Sequence, residues 1–117
     1  MTDLSSNAIS MFRGNNKTVQ ITVLKESTGL AFDLTGCSIT MYIKKDINDV
    51  DNDAVLTKVG TIVNPITAIV EFYLLPNDTE NITQLGDETP YYADFKVVTG
   101  SGSKYTVLRT LFVLLKK

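Results

Sequence analysis

Apolar side chains recur at every second residue along most of this 117-residue chain, and this pattern constrains the fold more than any other feature. Val19, Ile21 and Val23, for example, alternate with polar residues. A two-residue period is typical of a β-strand with one buried face and one face in water. The segments that show it are 17–24, 38–45, 54–59, 61–64, 68–75, 91–99 and 104–115. The sequence therefore predicts about seven or eight short strands.

The connections between these segments are short and carry turn residues. Gly100-Ser101-Gly102-Ser103 predicts a tight hairpin between the last two strands, because its glycines can adopt a positive φ. Residues 77–85 predict one short helical turn that ends at Gly86. Such connections cannot hold crossover helices, so we predict an all-β, antiparallel sandwich or small barrel. Residues 1–117 are expected to form this single domain, with residues 1–7 as a flexible tail.

A second turn is predicted directly before segment 38–45, at Asp33-Leu34-Thr35-Gly36. The side chains of Asp33 and Thr35 can close a turn by bonding to the backbone, and Gly36 can take a conformation that other residues avoid. These residues are expected to be structural and not part of a site.

The composition points away from an enzyme. The chain has no histidine, no tryptophan and a single cysteine, Cys37. This excludes nucleophile systems that need histidine, histidine-rich metal sites, zinc clusters and a disulfide framework. Paired carboxylates such as Asp87 and Glu88 or Asp94 are the remaining route to catalysis, but acids on a loop are normally hydrated. We expect no catalytic activity and no cofactor.

The charge pattern bears on partners and location. A net charge of -2 gives no basic footprint for nucleic acid. The N-terminus lacks the features of a secretory signal, and the longest apolar run, 111–115, is too short to cross a membrane. The protein is expected to be made in the cytoplasm and not secreted.

Acids and bases are unevenly distributed along the chain. Six acids and no base fall between Lys58 and Lys96, whereas all five charged residues after Asp94 are basic. This segregation fits two solvated surfaces, or oppositely charged patches that dock identical or neighbouring subunits head to tail.

An acidic segment offers the one pattern that resembles cation binding. Asp49, Asp51 and Asp53 have the alternating spacing with which a calcium loop gathers oxygen ligands. However, Ala54 stands where the loop needs glycine, and Gly60 stands where it needs a bidentate glutamate. The segment is therefore interpreted as a solvated loop, and no metal is expected.

The C-terminal strand segment is apolar on both faces. Strict alternation places Leu111, Val113 and Leu115 on one face and Phe112 and Leu114 on the other. Such a strand either lies under additional structure, for which segment 8–12 is a candidate, or contacts another chain. The predicted contact residues combine this strand with an unpaired N-terminal segment. They are Met11, Phe12, Arg13, Arg109, Leu111, Val113 and Leu115.

The five tyrosines suggest an alternative function. Tyr42, Tyr73, Tyr91, Tyr92 and Tyr105 all fall in predicted strands. They could stack on sugars or line a protein interface, although strand tyrosines are often simply half-buried. A carbohydrate-binding sandwich that recognises surface glycans is therefore kept as an alternative.

Several short motifs occur in an order that is characteristic of one family. They are Phe12-Arg13-Gly14-Asn15 before TVQITV, Phe32-Asp33-Leu34-Thr35-Gly36 before SITMYIKK, Leu75-Pro76-Asn77-Asp78-Thr79, Tyr91-Tyr92-Ala93-Asp94-Phe95 and the segment 105–113. In this order and spacing, which cover nearly the whole chain, the sequence resembles the N-terminal domain of phage baseplate upper proteins.

The resemblance implies an immunoglobulin-like sandwich that serves as an attachment module in the tail tip of a phage or prophage. Its partners would be other tail or baseplate proteins, with a homo-oligomer expected, and its location would be the virion. In the family a distal part carries the receptor-binding protein. The sequence ends at Lys117, so the chain is expected to be either an excised domain or a version without that part.

Overall fold

The computed structural model describes residues 8–25, 27–46, 48–82 and 86–116. Within these residues, eight strands and one short α-helix follow each other. They are β1 (Ile9–Phe12), β2 (Lys17–Thr22), β3 (Ser38–Lys44), β4 (Leu56–Val59), β5 (Thr61–Asn64), β6 (Ile69–Leu74), α1 (Pro76–Glu80), β7 (Glu88–Val98) and β8 (Lys104–Leu115). The predicted tail 1–7 lies outside the described residues.

The strands form two sheets, ordered β1-β8-β7-β3-β4 and β2-β6-β5. This is the strand arrangement of an immunoglobulin-type sandwich, in which the second, fifth and sixth strands oppose a sheet built from the third, fourth, seventh and eighth. The predicted all-β, immunoglobulin-like sandwich is confirmed.

One pair departs from the all-antiparallel expectation. Strand β1 runs parallel to β8, with Ile9 opposite Phe112 and Phe12 opposite Leu115. A crossover helix is needed only when parallel strands follow each other in sequence, whereas the whole sandwich separates β1 from β8. The prediction that the N-terminal segment is unpaired is therefore wrong, because β1 pairs with Phe112–Leu115 of β8.

The core lies between the sheets and is built from the inward-facing residues that the alternation identifies. Ile39, Met41 and Ile43 of β3 are completely buried, as are Phe72 of β6 and Phe95 of β7. The rings of Phe72 and Phe95 meet edge to face across the two sheets, with centroids 5.2 Å apart. Aromatic pairs prefer this geometry, which adds to the free energy gained from burial alone.

Both predicted turns form as the sequence indicates. Thr35 donates its backbone N–H and its hydroxyl to Asp33 Oδ1, at 2.9 and 2.6 Å, and Gly36 has φ +76°. In the last hairpin, Thr99 N–H donates to the Ser103 carbonyl at 2.8 Å, and the turn includes a positive-φ glycine. These turns set the register in which β3 and β8 enter the sheet.

The predicted helical turn is present but ends early. Helix α1 covers Pro76–Glu80, so Gly86 does not terminate it. Proline suits the first turn because its missing N–H would have no helical partner there. Asp78 accepts the Leu75 N–H at 2.7 Å and a bond from Lys58 Nζ at 2.9 Å, which ties the helix start to β4. Residues 83–85 of the prediction lie outside the described residues.

Candidate functional site

An apolar strip runs along the outer face of the five-stranded sheet. Phe112 and Leu114 of β8 are fully buried, so the alternate residues face outward. Their register places Leu111 beside Tyr92 of β7 and Leu115 beside Phe12 of β1. We call the residues Phe12, Tyr92, Leu111, Val113 and Leu115 the outer strip. All five remain partly accessible, and Phe12 is 48% exposed.

The structure assigns the seven predicted contact residues to different roles. Phe12, Leu111, Val113 and Leu115 belong to the outer strip, as the sequence predicts for the three β8 residues. Met11 points the other way and is part of the core, at 5% exposure. The face that a residue of β1 presents depends on its pairing with β8, which the sequence does not reveal.

Arg13 and the turn after β1 connect this end of the sandwich to α1. Arg13 Nη1 donates to the Glu80 carbonyl at 2.9 Å, and the Gly14 N–H donates to Thr79 Oγ1 at 2.8 Å. Arg13 is half-buried, and its role is to hold the turn to the end of the helix. It is not part of the outer strip.

Arg109, the last of the seven predicted contact residues, forms an ion pair with the buried Asp94. Its Nε donates to Asp94 Oδ1 at 2.6 Å and its Nη2 to Asp94 Oδ2 at 3.1 Å. Asp94 also accepts from Lys44 Nζ at 3.1 Å, and both Asp94 and Lys44 are at most 3% exposed. Bidentate arginine–carboxylate pairs have a fixed geometry, so Arg109 is held against the sheet beside the outer strip.

Burial and hydrogen bonding oppose each other at Asp94. Burial favours the neutral acid, but hydrogen bonds from Arg109 and then Lys44 outweigh it, so the pKa of Asp94 lies below its ordinary value. On the partner side, the bond to Asp94 raises the pKa of Arg109. The pair is therefore ionised over the whole neutral range.

The acidic segment with Asp49, Asp51 and Asp53 is predicted to be a solvated loop. In the structure it contacts the outer face of the larger sheet through Asp51. Its carboxylate contacts Lys44 Nζ at 2.9 Å and Lys96 and Lys104 Nζ at 2.6 Å each. The three ammonium groups also lie 5.4 to 5.9 Å from the centre of the Tyr42 ring. Burial raises the pKa of Asp51, but the bonds from Lys104, Lys96 and Lys44 outweigh it, and the net shift is downward.

This arrangement bears on the calcium-loop alternative. Asp51 is directed toward three lysines, while Asp49 Oδ2 accepts the backbone N–H of Asp46 at 3.1 Å. Asp53 is exposed at the end of the short 3-10 helix Asp51–Asp53. Within 8–25, 27–46, 48–82 and 86–116, no group of three or more His, Cys, Asp or Glu side chains could hold a metal ion. The sequence signal for the network is the set of unlike charges at outward-facing positions of neighbouring strands.

Asp94, one of the candidate carboxylates for catalysis, lies far from the other two. Asp87 and Glu88 lie exposed at the start of β7, and Glu88 is six residues from Asp94 along the strand. At the rise of a β-strand this separation is about 20 Å. Asp94 is already bound by two cations, so it does not form an acid–base pair with Asp87 or Glu88.

The tyrosines do not share one surface. Tyr91 is buried, and Tyr42 and Tyr92 are half-buried on the outer face of the larger sheet. Tyr73 is 45% exposed on the outer face of the smaller sheet, where its hydroxyl donates to Glu71 Oε1 at 2.6 Å. Tyr105 is half-exposed near the start of β8.

Tyr105 forms part of an apolar cleft that the sequence did not indicate. The cleft has a volume of about 620 Å³ and lies where the loop after β2 approaches the start of β8. Its walls include Leu24, Lys25, Phe32, Tyr105, Thr106 and Val107. The loop residues and the β8 residues are about 75 positions apart in the sequence, so only the tertiary fold brings them together. A pocket of this size and lining suits an apolar group.

Comparisons with known proteins find structural likenesses but no related sequence. No protein-family model and no curated protein matches the chain. A structure of murine CRIg is among 12 matching chains of solved structures. It aligns with 94% of this chain and 92% of its own, at 9% sequence identity and a TM-score of 0.38. Among the described helices, none is long and apolar enough to cross a membrane.

Proposed function

We propose that this domain is a non-enzymatic structural component of a phage or prophage virion, an attachment module of the tail or baseplate. Its role is to make protein–protein contacts through the outer strip. The observation that carries the proposal is the row of partly exposed apolar side chains on the outer face of β8 and its two neighbours. Contiguous apolar residues on a sheet face mark a surface that another chain covers.

The pairing of β1 supports a contact through side chains. Strand β8 has neighbours on both sides, β1 and β7. At Phe112–Leu115, where β1 pairs with it, the backbone groups of β8 are used within the sheet, so a partner contacts the outer strip there through side chains. Arg109 stands two residues before Leu111 and is fixed by Asp94, so the polar border of the strip is rigid before a partner arrives. Preorganised side chains reduce the entropy lost on binding.

The order of the sequence motifs supports the virion assignment. The D-L-T-G turn and the L-P-N-D-T segment, the latter forming the start of α1, both have structural roles in this domain. An attachment domain needs a stable scaffold and a contact surface, and this sandwich offers both.

The test is co-expression of the chain with the proteins encoded beside its gene. We expect a tail or baseplate protein to co-purify with the wild-type chain and to be lost with Val113→Asp, which places a charge in the outer strip. The matched control is Val63→Asp on β5, at a residue 55% exposed and remote from the strip. Circular dichroism melts establish that both variants fold. If Val113→Asp binds as the wild type does, or if no tail protein binds, the proposal is refuted.

Glycan binding is a second candidate function, supported by Tyr73. Its ring is accessible on the smaller sheet and is held by Glu71, with Thr18 opposite it and Gln20 opposite Glu71. An aromatic face beside carboxylate and amide groups is suited to the apolar and hydroxyl surfaces of a sugar. A glycan array with the wild type and Tyr73→Ala tests this candidate. Equal signals for both, or no signal, would count against it.

A further inference from the structure

We propose that the free edge of β2 binds an extended segment of a partner protein, which joins the smaller sheet as an added strand. This inference goes beyond the proposed function, because the edge belongs to the smaller sheet and the outer strip to the larger one. The partner segment is a peptide in which every second side chain is apolar. Its main chain bonds to the edge of β2, and its apolar side chains enter pockets beside that edge.

The backbone groups on one side of β2 have no partner among the described residues. Strand β2 is the end strand of its sheet and pairs only with β6. In an antiparallel ladder, successive residues direct their N–H and C=O groups alternately toward the partner strand and away from it. The Val23 N–H donates to the carbonyl of Ala68, directly before β6, at 3.0 Å. The ladder therefore directs the backbone groups of Thr18, Gln20 and Thr22 to the open side.

The edge of β2 also lacks the features with which proteins usually prevent an exposed edge from pairing. Such features include short strands, bulges and charged side chains. The other strands at the ends of the sheets, β1, β4 and β5, have four residues each, and the pairings of β5 with β6 and of β7 with β8 contain register shifts. Strand β2 has six residues in continuous register, and the run Thr18–Leu24 contains no charge, proline or glycine. Pairing with another strand is the expected fate of such an edge.

Two cavities lie along this edge, between the two sheets. The first has a volume of about 340 Å³, and its walls are residues 19–22 of β2 and, across the gap, Ala8, Ile9, Leu108 and Thr110. Consecutive residues of a strand point to opposite faces, so a cavity that touches all four β2 residues lies at the edge of the strand. The second is the cleft beside Tyr105, which adjoins the next part of the chain at Leu24 and Lys25. The inward side chains of an added strand enter these cavities.

The cavities favour a separate peptide over a second copy of this chain. The inward side chains Val19 and Val23 are buried in the core of their own copy, at 6% and 2% exposure. A second β2 paired edge to edge would therefore leave the cavities unfilled. The inward side chains of a partner peptide are free to fill them. The polar side chains of the peptide then lie beside Thr18, Gln20 and Thr22, which are all exposed on the outer face of β2.

The test is an NMR titration of the isotopically labelled chain with a defined probe peptide. The probe alternates three valines with three threonines and carries a lysine at each end for solubility. We expect a dissociation constant between about 10 µM and about 1 mM, which the titration can measure. The largest changes in chemical shift should occur at the amides of Thr18, Gln20 and Thr22.

Two N-methylated forms of the probe distinguish strand addition from apolar adsorption. One form is methylated on the backbone nitrogen of every valine, and the other on that of every threonine. Because alternate residues of a strand direct their N–H groups to opposite sides, only one of the two forms should lose affinity, by at least about 10-fold. Equal binding of the two forms would overturn the inference, as would no binding of the unmodified probe up to about 2 mM.

Variants of the chain test the position of the added strand. Gln20→Pro removes one outward N–H, and proline is compatible with an edge strand at such a position. It should weaken binding at least about 10-fold, whereas the matched control Gln20→Ala keeps the N–H and should bind as the wild type does. Thermal melts verify folding, and Ile21→Lys, which places a charge beside the first cavity, replaces Gln20→Pro if that variant unfolds. Binding of the folded edge variant at wild-type affinity would refute the assignment to β2.

Two further outcomes would assign the edge to a different occupant and overturn the inference. If a variant without residues 2–7 binds the probe and the full chain does not, the edge belongs to the N-terminal segment of the chain itself. If the wild type without probe is a dimer in sedimentation velocity and Gln20→Pro is a monomer, the edge belongs to a second copy.

This inference and the proposed function can fail separately. Val113→Asp changes the outer strip and should leave binding of the probe unchanged. A loss of probe binding in folded Val113→Asp as large as in Gln20→Pro would contradict the assignment to β2. A wild-type chain that passes the probe tests but binds no protein encoded beside its gene supports the added strand and refutes the attachment function.

Discussion

Replacing Asp94 with asparagine should lower the stability of the domain more than any other charge-removing substitution on the outer face. The carboxylate is 1% exposed and accepts hydrogen bonds from Lys44 and Arg109. Asparagine keeps the shape of the side chain but leaves Arg109 without this counter-charge and Lys44 with only one of its two carboxylates. Removing one partner of a buried ion pair typically costs about 3 to 5 kcal/mol.

The lower end of this range applies here. Lys44 keeps a second carboxylate, Asp51, at 2.9 Å, and Arg109 is 15% exposed, so water still reaches its guanidinium. We therefore expect Asp94→Asn to lose about 3 kcal/mol of unfolding free energy. With an unfolding entropy of about 2.1 cal/mol/K per residue, a domain of this length should melt about 12 °C lower.

The assay is thermal and urea unfolding of Asp94→Asn at neutral pH, followed by circular dichroism. Asp87→Asn is the matched control, because it removes the same charge from an exposed position seven residues earlier. The control should stay within about 0.5 kcal/mol of the wild type. If Asp94→Asn were no less stable than Asp87→Asn, the ion pair would not contribute to the fold as argued.

The remaining predictions concern packing and pH. Gly60→Ala should lower the free energy of unfolding in urea by about 1 to 3 kcal/mol, because a Cβ at this position would lie 2.7 to 2.8 Å from two buried side chains of β6. Gly100→Ala, whose Cβ would have its nearest neighbour at 3.5 Å, should be nearly neutral, and equal losses would contradict the close approach. Phe112→Ala should lower the free energy of unfolding by about 3 to 5 kcal/mol, and Leu111→Ala by only about 1 kcal/mol, because Phe112 is buried and Leu111 is partly exposed. A larger loss for Leu111→Ala in urea melts would mean that the two side chains face the opposite way. Since the folded-state pKa of Asp94 is lowered, its stabilisation is present above pH 3.8 and lost as the pH falls below it. As the pH is lowered below 3.8, the melting temperature of the wild type should therefore fall more steeply than that of Asp94→Asn. Parallel curves for the two proteins would contradict the lowered pKa of Asp94.

Local patterns predicted the strands well because their physical basis is local. Alternation at 38–43 and 110–115 identifies which side chains are buried, and the bounds of β8 agree with the predicted segment. The turn at Gly36 was predictable because a side chain two residues away bonds to the backbone. Each of these features depends on residues that are close together in the sequence.

The candidate site was predictable only in part for the same reason. The outward positions of β8 follow from alternation, but the inward position of Met11 follows from a parallel pairing with residues about 100 positions later. Asp51 read alone suggests a cation ligand, whereas lysines from three other strand positions surround it in the fold.

Sequence alone thus determined that this protein is an all-β structure whose last strand is apolar on both faces. Tertiary structure decided which edge β1 covers, where the six-residue ion network forms, and that a cleft opens beside Tyr105. The physical reason is that side-chain direction in a strand is set by the backbone repeat. The neighbours of a side chain, in contrast, are set by which distant segments bury their apolar faces together.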